Sequence, residues 1–268
     1  MSEKLYPLFI IVLLGMLWFL YIYRKDVFEP EPKYKIFKAV MWGAIPSIIL
    51  VTFFNSIFFW LGLLAAPIIE EACKGIYIYK LRNDKEFEGP MDGLVYGAAV
   101  GIGFEIVENI FYSYFLNGID IQLSILRSID IGHVLFTGLF GLMVGLAKIK
   151  DEKWYIFYGY GGAVLMHLIW NGLTGISLVF YFILTPIFIY ILKRLIDTAL
   201  KYEFDVYLSP RKEFEDQARR FIIEHNGATT AELAEELGVE PHRTALFMKS
   251  INSKFYRDSK KWFLLNND

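Results

Sequence analysis

The 268-residue sequence predicts an all-α polytopic membrane protein of about seven transmembrane helices, followed by a small α+β winged-helix-like cytoplasmic domain. Three observations lead to this class. Apolar residues make up 55% of the chain, whereas a soluble domain averages roughly 45–50%. Long apolar runs recur as far as residue 195, and residues 200–268 hold 23 of the charged residues. A globular cytosolic enzyme is thereby excluded, and we place the transmembrane core at 1–198 and the cytoplasmic domain at 206–268.

Seven apolar runs approach the roughly 20 residues that a helix needs to cross a hydrocarbon core of about 30 Å. They are 5–23, 34–54, 56–80, 90–115, 126–148, 154–172 and 176–195. The first run is predicted to be a membrane anchor rather than a cleaved signal. Its leading residues, Met-Ser-Glu-Lys, carry no net positive charge, and no small-residue cleavage site follows it.

The basic residues predict an orientation in the cell membrane. Lys and Arg follow the first, third, fifth and seventh runs, whereas the loops on the other side are poor in them; residues 117–127 contain one Arg. Because Lys and Arg mark cytoplasmic loops, we expect a multi-pass protein with its N-terminus outside and its C-terminus in the cytoplasm.

Polar side chains interrupt four of the predicted spans. They are Glu70, Glu71, Lys74, Glu105, Glu108, Asn109, His133, His167 and Asn171. A central charged residue costs about 2.5–3.5 kcal/mol on insertion scales, so these side chains cannot face lipid. They are predicted to meet one another, water or a metal inside the bundle.

Small residues continue the same helix faces at intervals of four. One run carries Gly93, Gly97, Gly101 and Glu105, and the next carries His133, Thr137, Gly141 and Gly145. Residues four apart share a helix face, and small residues there let two helices approach closely. The spacing therefore predicts a polar cluster where four helices meet.

The chemistry of this cluster leaves two function classes open. Carboxylates and imidazoles at low dielectric suit the activation of water, with donors or a metal stabilising an oxyanion. The same groups could carry protons or cations across the membrane. A structural alternative also exists for one pair, because Glu70 and Lys74 are four residues apart and could neutralise each other.

The motifs resemble those of a known family. Glu70-Glu71-Ala-Cys-Lys74 has the form EExxK, residues 104–109 have the form FExxEN, a span with His133 follows, and residues 167–171 have the form HxxxN. This order resembles the PrsW family of intramembrane proteases, relatives of the CAAX prenyl endopeptidases and of bacterial immunity-type membrane proteases. The resemblance covers residues from about 10 to 195 and implies hydrolysis of a peptide bond within or beside the bilayer.

The resemblance also implies roles for the site residues. Glu70 would be the general base, with Glu71 supporting it. The oxyanion donors or metal ligands would be His133, His167 and Asn171, with Glu105 and Glu108 completing the site. If a metal is required, zinc held by His133, His167 and Glu105 is the candidate; a glutamate protease without metal is the alternative.

The resemblance implies a membrane-bound substrate, specifically a single-pass regulatory protein. Two other functions stay open. One is a proton- or metal-coupled transporter, although no internal repeat typical of transporters is found. The other is a prenyl-protein endopeptidase.

The C-terminal region is predicted to fold separately. A helix over 211–225, a capping box from Thr229 to Glu232 and a helix from Pro241 precede a hairpin near Asp258 and Ser259. This order resembles a winged helix-turn-helix. Because residues 211–268 carry ten basic and ten acidic residues, a role in protein interaction or dimerisation is favoured over nucleic-acid binding.

Overall fold

The computed structural model describes residues 5–26, 30–112, 131–207, 211–239, 241–250 and 255–265. The chain divides into two compact units, Met1–Tyr202 and Glu203–Asp268. The described residues are mostly helical. The predicted outer loop at 117–127 and the first residues of the predicted span at 126–148 lie outside the described residues.

The first unit is built from helices and two irregular turns. Its helices are α1 (Leu5–Tyr23), α2 (Lys33–Trp42), α3 (Ile48–Ile57), α4 (Ala65–Leu81), α5 (Pro90–Phe111), α6 (Gly132–Lys150), α7 (Trp154–Ile176) and α8 (Val179–Tyr207). A π-helical turn, Gly43–Ser47, joins α2 to α3, and a 3₁₀ turn, Phe59–Leu64, precedes α4.

Two of the predicted spans are less regular than the sequence suggests. Pro46 lies inside the π-helical turn, as expected for a residue that lacks the amide hydrogen of a regular helix. The run predicted at 56–80 is broken at Gly62, whose φ is +60° and ψ is −142°. Only glycine adopts such a backbone conformation readily, so the helix that carries Glu70 begins at Ala65.

Among the described residues, four helical segments are long and apolar enough to cross a membrane. They are Lys33–Ile57, Pro90–Phe111, Gly132–Lys150 and Val179–Glu203, and α1 contributes a shorter apolar helix, Leu8–Tyr23. The chain is therefore a membrane protein by the length and composition of its helices.

Helices α5 and α6 pack backbone to backbone along the predicted glycine face. A Cβ atom added to Gly93 would lie 2.0 Å from the carbonyl oxygen of Gly141, and one on Gly97 would lie 2.3 Å from that of Thr137. One turn further, a Cβ on Gly101 would lie 2.3 Å from the carbonyl oxygen of His133. The small-residue stripes thus allow the close approach that the spacing predicted, and the two helices pack in an antiparallel register.

The loops that follow α1, α4 and α6 meet at one end of the first unit. Lys35, at the start of α2, pairs with Asp84 at 2.9 Å and with Glu86 at 2.7 Å. Lys148, near the end of α6, donates to the backbone oxygens of Asp84 and Phe87 at 2.9 and 2.5 Å. These three loops therefore lie on the same side of the helical unit.

The described residues of the second unit form three helices and a three-stranded antiparallel sheet. In chain order they are α9 (Arg211–Glu224), β1 (Ala228–Thr229), α10 (Thr230–Leu237), α11 (Pro241–Ser250), β2 (Phe255–Asp258) and β3 (Lys261–Leu264). The strands lie in the order β1-β3-β2.

The local signals predicted for this unit are confirmed. Thr229 and Glu232 form the capping box that opens α10, and Gly238 ends that helix with φ +63°. A buried apolar cluster that includes Ile222, Phe247 and Trp262 forms the core of the unit.

Candidate active site

Two neighbouring carboxylates on α4 face different surroundings. The side chain of Glu70 lies on the wall of a cavity of about 570 Å³. Glu71 is almost completely buried, and three groups from three helices donate hydrogen bonds to it. Adjacent positions on a helix point about 100° apart, because a helix has about 3.6 residues per turn. The two carboxylates therefore point into different surroundings.

Glu71 is the centre of a buried hydrogen-bond network. Its Oε1 accepts from Lys74 Nζ at 2.5 Å and lies 2.9 Å from His167 Nδ1. Its Oε2 accepts from the Thr137 hydroxyl at 3.2 Å. A buried carboxylate is stable only when it is paired and hydrogen-bonded. Glu71 therefore links side chains of α4, α6 and α7 in one buried network.

Lys74 pairs with Glu71, three residues before it, and not with Glu70, the alternative that the spacing also allowed. Both acids are within helical reach of a lysine on the next turn. The pairing with Glu71 leaves the Glu70 carboxylate on the cavity wall.

His167 of α7 is oriented by Glu71. Because the carboxylate accepts a hydrogen bond from Nδ1, the neutral imidazole keeps a lone pair on Nε2, which lies 3.8 Å from Glu70 Oε2. A carboxylate behind a histidine ligand is the usual arrangement in zinc sites. The ring of Phe136 also stacks on that of His167, with ring centres 5.1 Å apart.

His133, at the start of α6, lies between two charged partners. Its Nδ1 is 2.8 Å from Lys74 Nζ, and its Nε2 is 3.0 Å from Glu108 Oε2. Its ring is perpendicular to that of His167, with ring centres 4.9 Å apart.

Among the described residues, Glu70, His133 and His167 form a group that could hold a metal ion. One ligand atom from each lies within 4.8 Å of the others, and all three side chains are buried. Glu105, the carboxylate that the sequence suggested as a metal ligand beside the two histidines, is buried but does not belong to this group.

The cavity collects four of the predicted site residues. Its polar lining includes Glu70, Glu108, His133 and Asn171. Much of the remaining wall is apolar or aromatic, including Phe136, Trp170 and Tyr181. A pocket with a few convergent polar groups in an apolar lining is the usual form of a ligand site. His167 lies behind this wall, 3.8 Å from Glu70 and with its ring 4.9 Å from that of His133, and Glu71 contacts His167.

Sequence reasoning missed the contacts that two residues make in this network. Thr137 was recognised only as a member of the small-residue stripe, although its hydroxyl donates to Glu71. Its position four residues after His133 on the same helix face was the available signal. Lys74 was predicted to lie in the polar cluster, with Glu70 as its suggested partner, but it contacts Glu71 and His133.

A family model described as PrsW family intramembrane metalloprotease matches residues 31–192, which include every residue of this network. The chain belongs to the PrsW family.

Curated PrsW proteins resemble the chain over much of their length. Protease PrsW of Geobacillus kaustophilus (strain HTA426) is 27% identical over 165 residues, which cover 57% of this chain and 72% of that protein. Protease PrsW of Clostridioides difficile (strain 630) is 26% identical over 211 residues, 71% of this chain and 87% of that protein. No solved structure matches the chain.

The membership identifies the protein as an intramembrane protease, with a protein substrate in the membrane. The family description also includes a metal, and the group of Glu70, His133 and His167 provides ligand types that suit one. Neither the transporter nor the prenyl-protein endopeptidase alternative is favoured by these matches.

Proposed function

We propose that the protein cleaves a single-pass, membrane-bound regulatory protein with a water molecule that Glu70 activates. The observation that carries this assignment is the contrast within the Glu70-Glu71 pair. Glu70 lies on the cavity wall, 3.8 Å from His167 Nε2. Glu71 is saturated by hydrogen bonds behind that wall. Of the two, only Glu70 is accessible from the cavity to take a proton from water.

The residues of the cavity divide the steps of hydrolysis among them. Glu70 takes the proton as the water oxygen attacks the carbonyl carbon of the scissile peptide. Hydrogen-bond donors on the wall, the Asn171 amide among them, stabilise the negative charge that develops on the carbonyl oxygen. Glu70 then returns its proton to the leaving amine as the carbon–nitrogen bond breaks.

Zinc is the metal that we propose for this site. In tetrahedral zinc sites with bonds of about 2.0–2.1 Å, neighbouring ligand atoms lie about 3.4 Å apart, close to the 3.8 Å between Glu70 Oε2 and His167 Nε2. When bound, zinc supplies a Lewis acid that acidifies water and polarises the substrate carbonyl. Glu71, which orients His167, supports this assignment.

Cleavage of candidate single-pass substrates by detergent-purified protein tests this function. Wild type should cleave at least one candidate, and Glu70→Gln should be inactive while remaining folded. Glu152→Gln, an exposed glutamate in the loop between α6 and α7, is the matched control and should retain activity. Chelator should remove zinc and activity together. Full activity of Glu70→Gln would exclude the proposed base.

We further propose that α1, α4 and α7 also cross the membrane, which gives seven spans with the N-terminus outside. Large apolar side chains lie exposed along α7, among them Phe157 (64% exposed) and Leu165 (58%), and lipid is the environment that accommodates them. Glu70, Glu71 and Lys74 of α4 are buried inside the bundle. The loops after α1, α4 and α6 lie on the same side of the unit. Because these loops carry the basic residues, their common side supports a cytoplasmic location for them and an N-terminus outside.

We also propose that residues 1–198 form the protease core and that residues 206–268 form a winged-helix domain. The order helix, strand, two helices and a two-stranded hairpin supports this classification. Its balanced charge favours a protein partner or a second copy of the domain over nucleic acid. The domain would then select when or where a substrate is cut.

A further inference from the structure

Lys74 is the buried cation of the site, and its ammonium group makes two close polar contacts. Its side chain is fully buried, with Nζ 2.5 Å from Glu71 Oε1 and 2.8 Å from His133 Nδ1. The ammonium group also lies 4.6 Å from the centre of the Phe104 ring, within the range of a cation–π contact. A lysine costs several kcal/mol in the middle of a membrane span. The presence of a lysine beside Glu71 and His133 therefore calls for a functional explanation.

The contact with Lys74 determines which nitrogen of His133 carries the hydrogen. An ammonium group has three N–H donors and no lone pair, and Lys74 Nζ forms an ion pair with the Glu71 carboxylate at 2.5 Å. His133 Nδ1 must therefore accept the hydrogen bond. The hydrogen of the neutral ring then lies on Nε2, which donates to Glu108 Oε2 at 3.0 Å.

This tautomer is incompatible with metal binding through His133. A metal ligand nitrogen needs a lone pair, but the lone pair on Nδ1 is used by Lys74 and Nε2 carries the hydrogen. His167 has the opposite arrangement, with the hydrogen on Nδ1 directed to Glu71 and the lone pair on Nε2 directed to Glu70. The two histidines therefore have different roles, although both belong to the group of potential ligands.

We propose that Lys74 is a positioning residue that makes His133 a hydrogen-bond donor to the substrate rather than a metal ligand. This inference rests on the proposed function. His133 lies on the cavity wall, and its Nε2–H can turn from Glu108 to the carbonyl oxygen of the scissile peptide as negative charge develops there. A metal in the site would be held by His167 Nε2 and Glu70 Oε2, with any further donor coming from the cavity wall, and the second oxygen of Glu70 would take the proton from water.

Nuclear magnetic resonance of the full-length protein labelled with ¹⁵N-histidine tests the tautomer directly. The chain has four histidines, and a His133→Asn variant identifies the signal of His133 by its disappearance. We expect neutral His133 with the hydrogen on Nε2 in wild type. A wild-type His133 signal with the hydrogen on Nδ1 overturns the proposal. This measurement requires neither a variant of Lys74 nor an activity assay.

Variants of Lys74 test whether this residue determines the tautomer of His133. Lys74→Met removes the donor at similar length, and we expect the His133 signal to show a mixture of tautomers. The same variant should lower kcat about 10²-fold, the usual cost of a misplaced oxyanion donor, with KM changed less than about twofold. Lys74→Arg, if it folds, should restore the tautomer in part. An unchanged His133 signal in folded Lys74→Met contradicts the assignment.

Zinc binding separates the two histidines. We expect His133→Asn to bind zinc with an affinity within about threefold of wild type, and His167→Asn to lose about 100-fold or more. His225→Asn, an exposed histidine of the second unit, is the matched control. If His133→Asn loses as much zinc affinity as His167→Asn, the inference is wrong. A wild type that takes up no zinc argues instead against the metal of the proposed function, and the tautomer of His133 then decides the inference alone.

Discussion

Gly101 of α5 lies against the backbone of His133 of α6, so closely that a Cβ on Gly101 would be 2.3 Å from the His133 carbonyl oxygen. The contact fixes the position of His133 along α5. From there its side chain contacts Glu108, two turns further along the same helix. The distance leaves no room for any other residue at position 101, because the obstacle is backbone.

Replacement of this glycine should therefore disrupt the site as well as the packing. Gly101→Ala is expected to destabilise the protein by about 1–3 kcal/mol, the usual cost of overpacking, and to lower activity. Gly161→Ala on α7 is the matched control, since a Cβ there has no neighbour within 4 Å, and it should be neutral or slightly stabilising. Thermal unfolding in detergent and a cleavage assay measure both. Equal midpoints for the two variants would contradict the close packing.

Glu70 and Glu71 should respond differently to the same substitution. Glu70→Gln removes the proposed base and should abolish cleavage with little change in stability. Glu71→Gln leaves Lys74 buried without its carboxylate, and removal of one partner of a buried pair costs about 3–5 kcal/mol. It should therefore lower the yield of folded protein and the unfolding midpoint. A stable, inactive Glu71→Gln would instead indicate that Glu71 acts in the chemistry.

The sequence could predict the meeting of Glu70, His133 and His167, because polar residues in apolar spans have few alternatives to one another. It could not decide whether Lys74 pairs with Glu70 or Glu71, since both acids are within reach on a helix. It also could not locate the break at Gly62. A glycine in an apolar run is compatible with a continuous helix, so the run itself does not indicate the φ of +60° that Gly62 adopts.

Glu31, between α1 and α2, should make stability depend on pH. The Tyr96 hydroxyl donates to its carboxylate. Burial, and then the neighbouring carboxylate of Asp92, raise the pKa of Glu31 to about 9. Between about pH 5 and 9 the folded state holds a proton that the unfolded state has released, so stability should fall as pH rises, by up to about 1.4 kcal/mol per pH unit.

Unfolding midpoints across this range test the prediction. Glu31→Gln keeps a neutral side chain at every pH and should flatten the decline, whereas Glu152→Gln, an exposed carboxylate, should leave it unchanged. A wild-type midpoint that is constant or rises from pH 5 to 9 would contradict the assignment.

Labelling of introduced cysteines tests the orientation. Cys73 is the single cysteine of the chain, so a Cys73→Ala background carries no native thiol. A cysteine at Asn117 should react with an impermeant reagent applied outside the cell, and cysteines at Asp84 and Asp151 should not, because their loops carry the basic residues of the cytoplasmic side. The reverse pattern would invert the proposed topology.

Deletion of residues 206–268 should separate hydrolysis from selection of the substrate. The residues of the cavity and its hydrogen-bond network end at Tyr181, and the second unit has its own apolar core around Phe247 and Trp262. The truncated protein should therefore cleave a short model substrate in detergent at a rate within about threefold of the full chain, while the choice of protein cut in cells changes. His225→Ala and His242→Ala should likewise retain hydrolysis. A truncated protein that is folded, by its elution and unfolding midpoint, but inert on the model substrate would mean that residues 206–268 contribute to the active site.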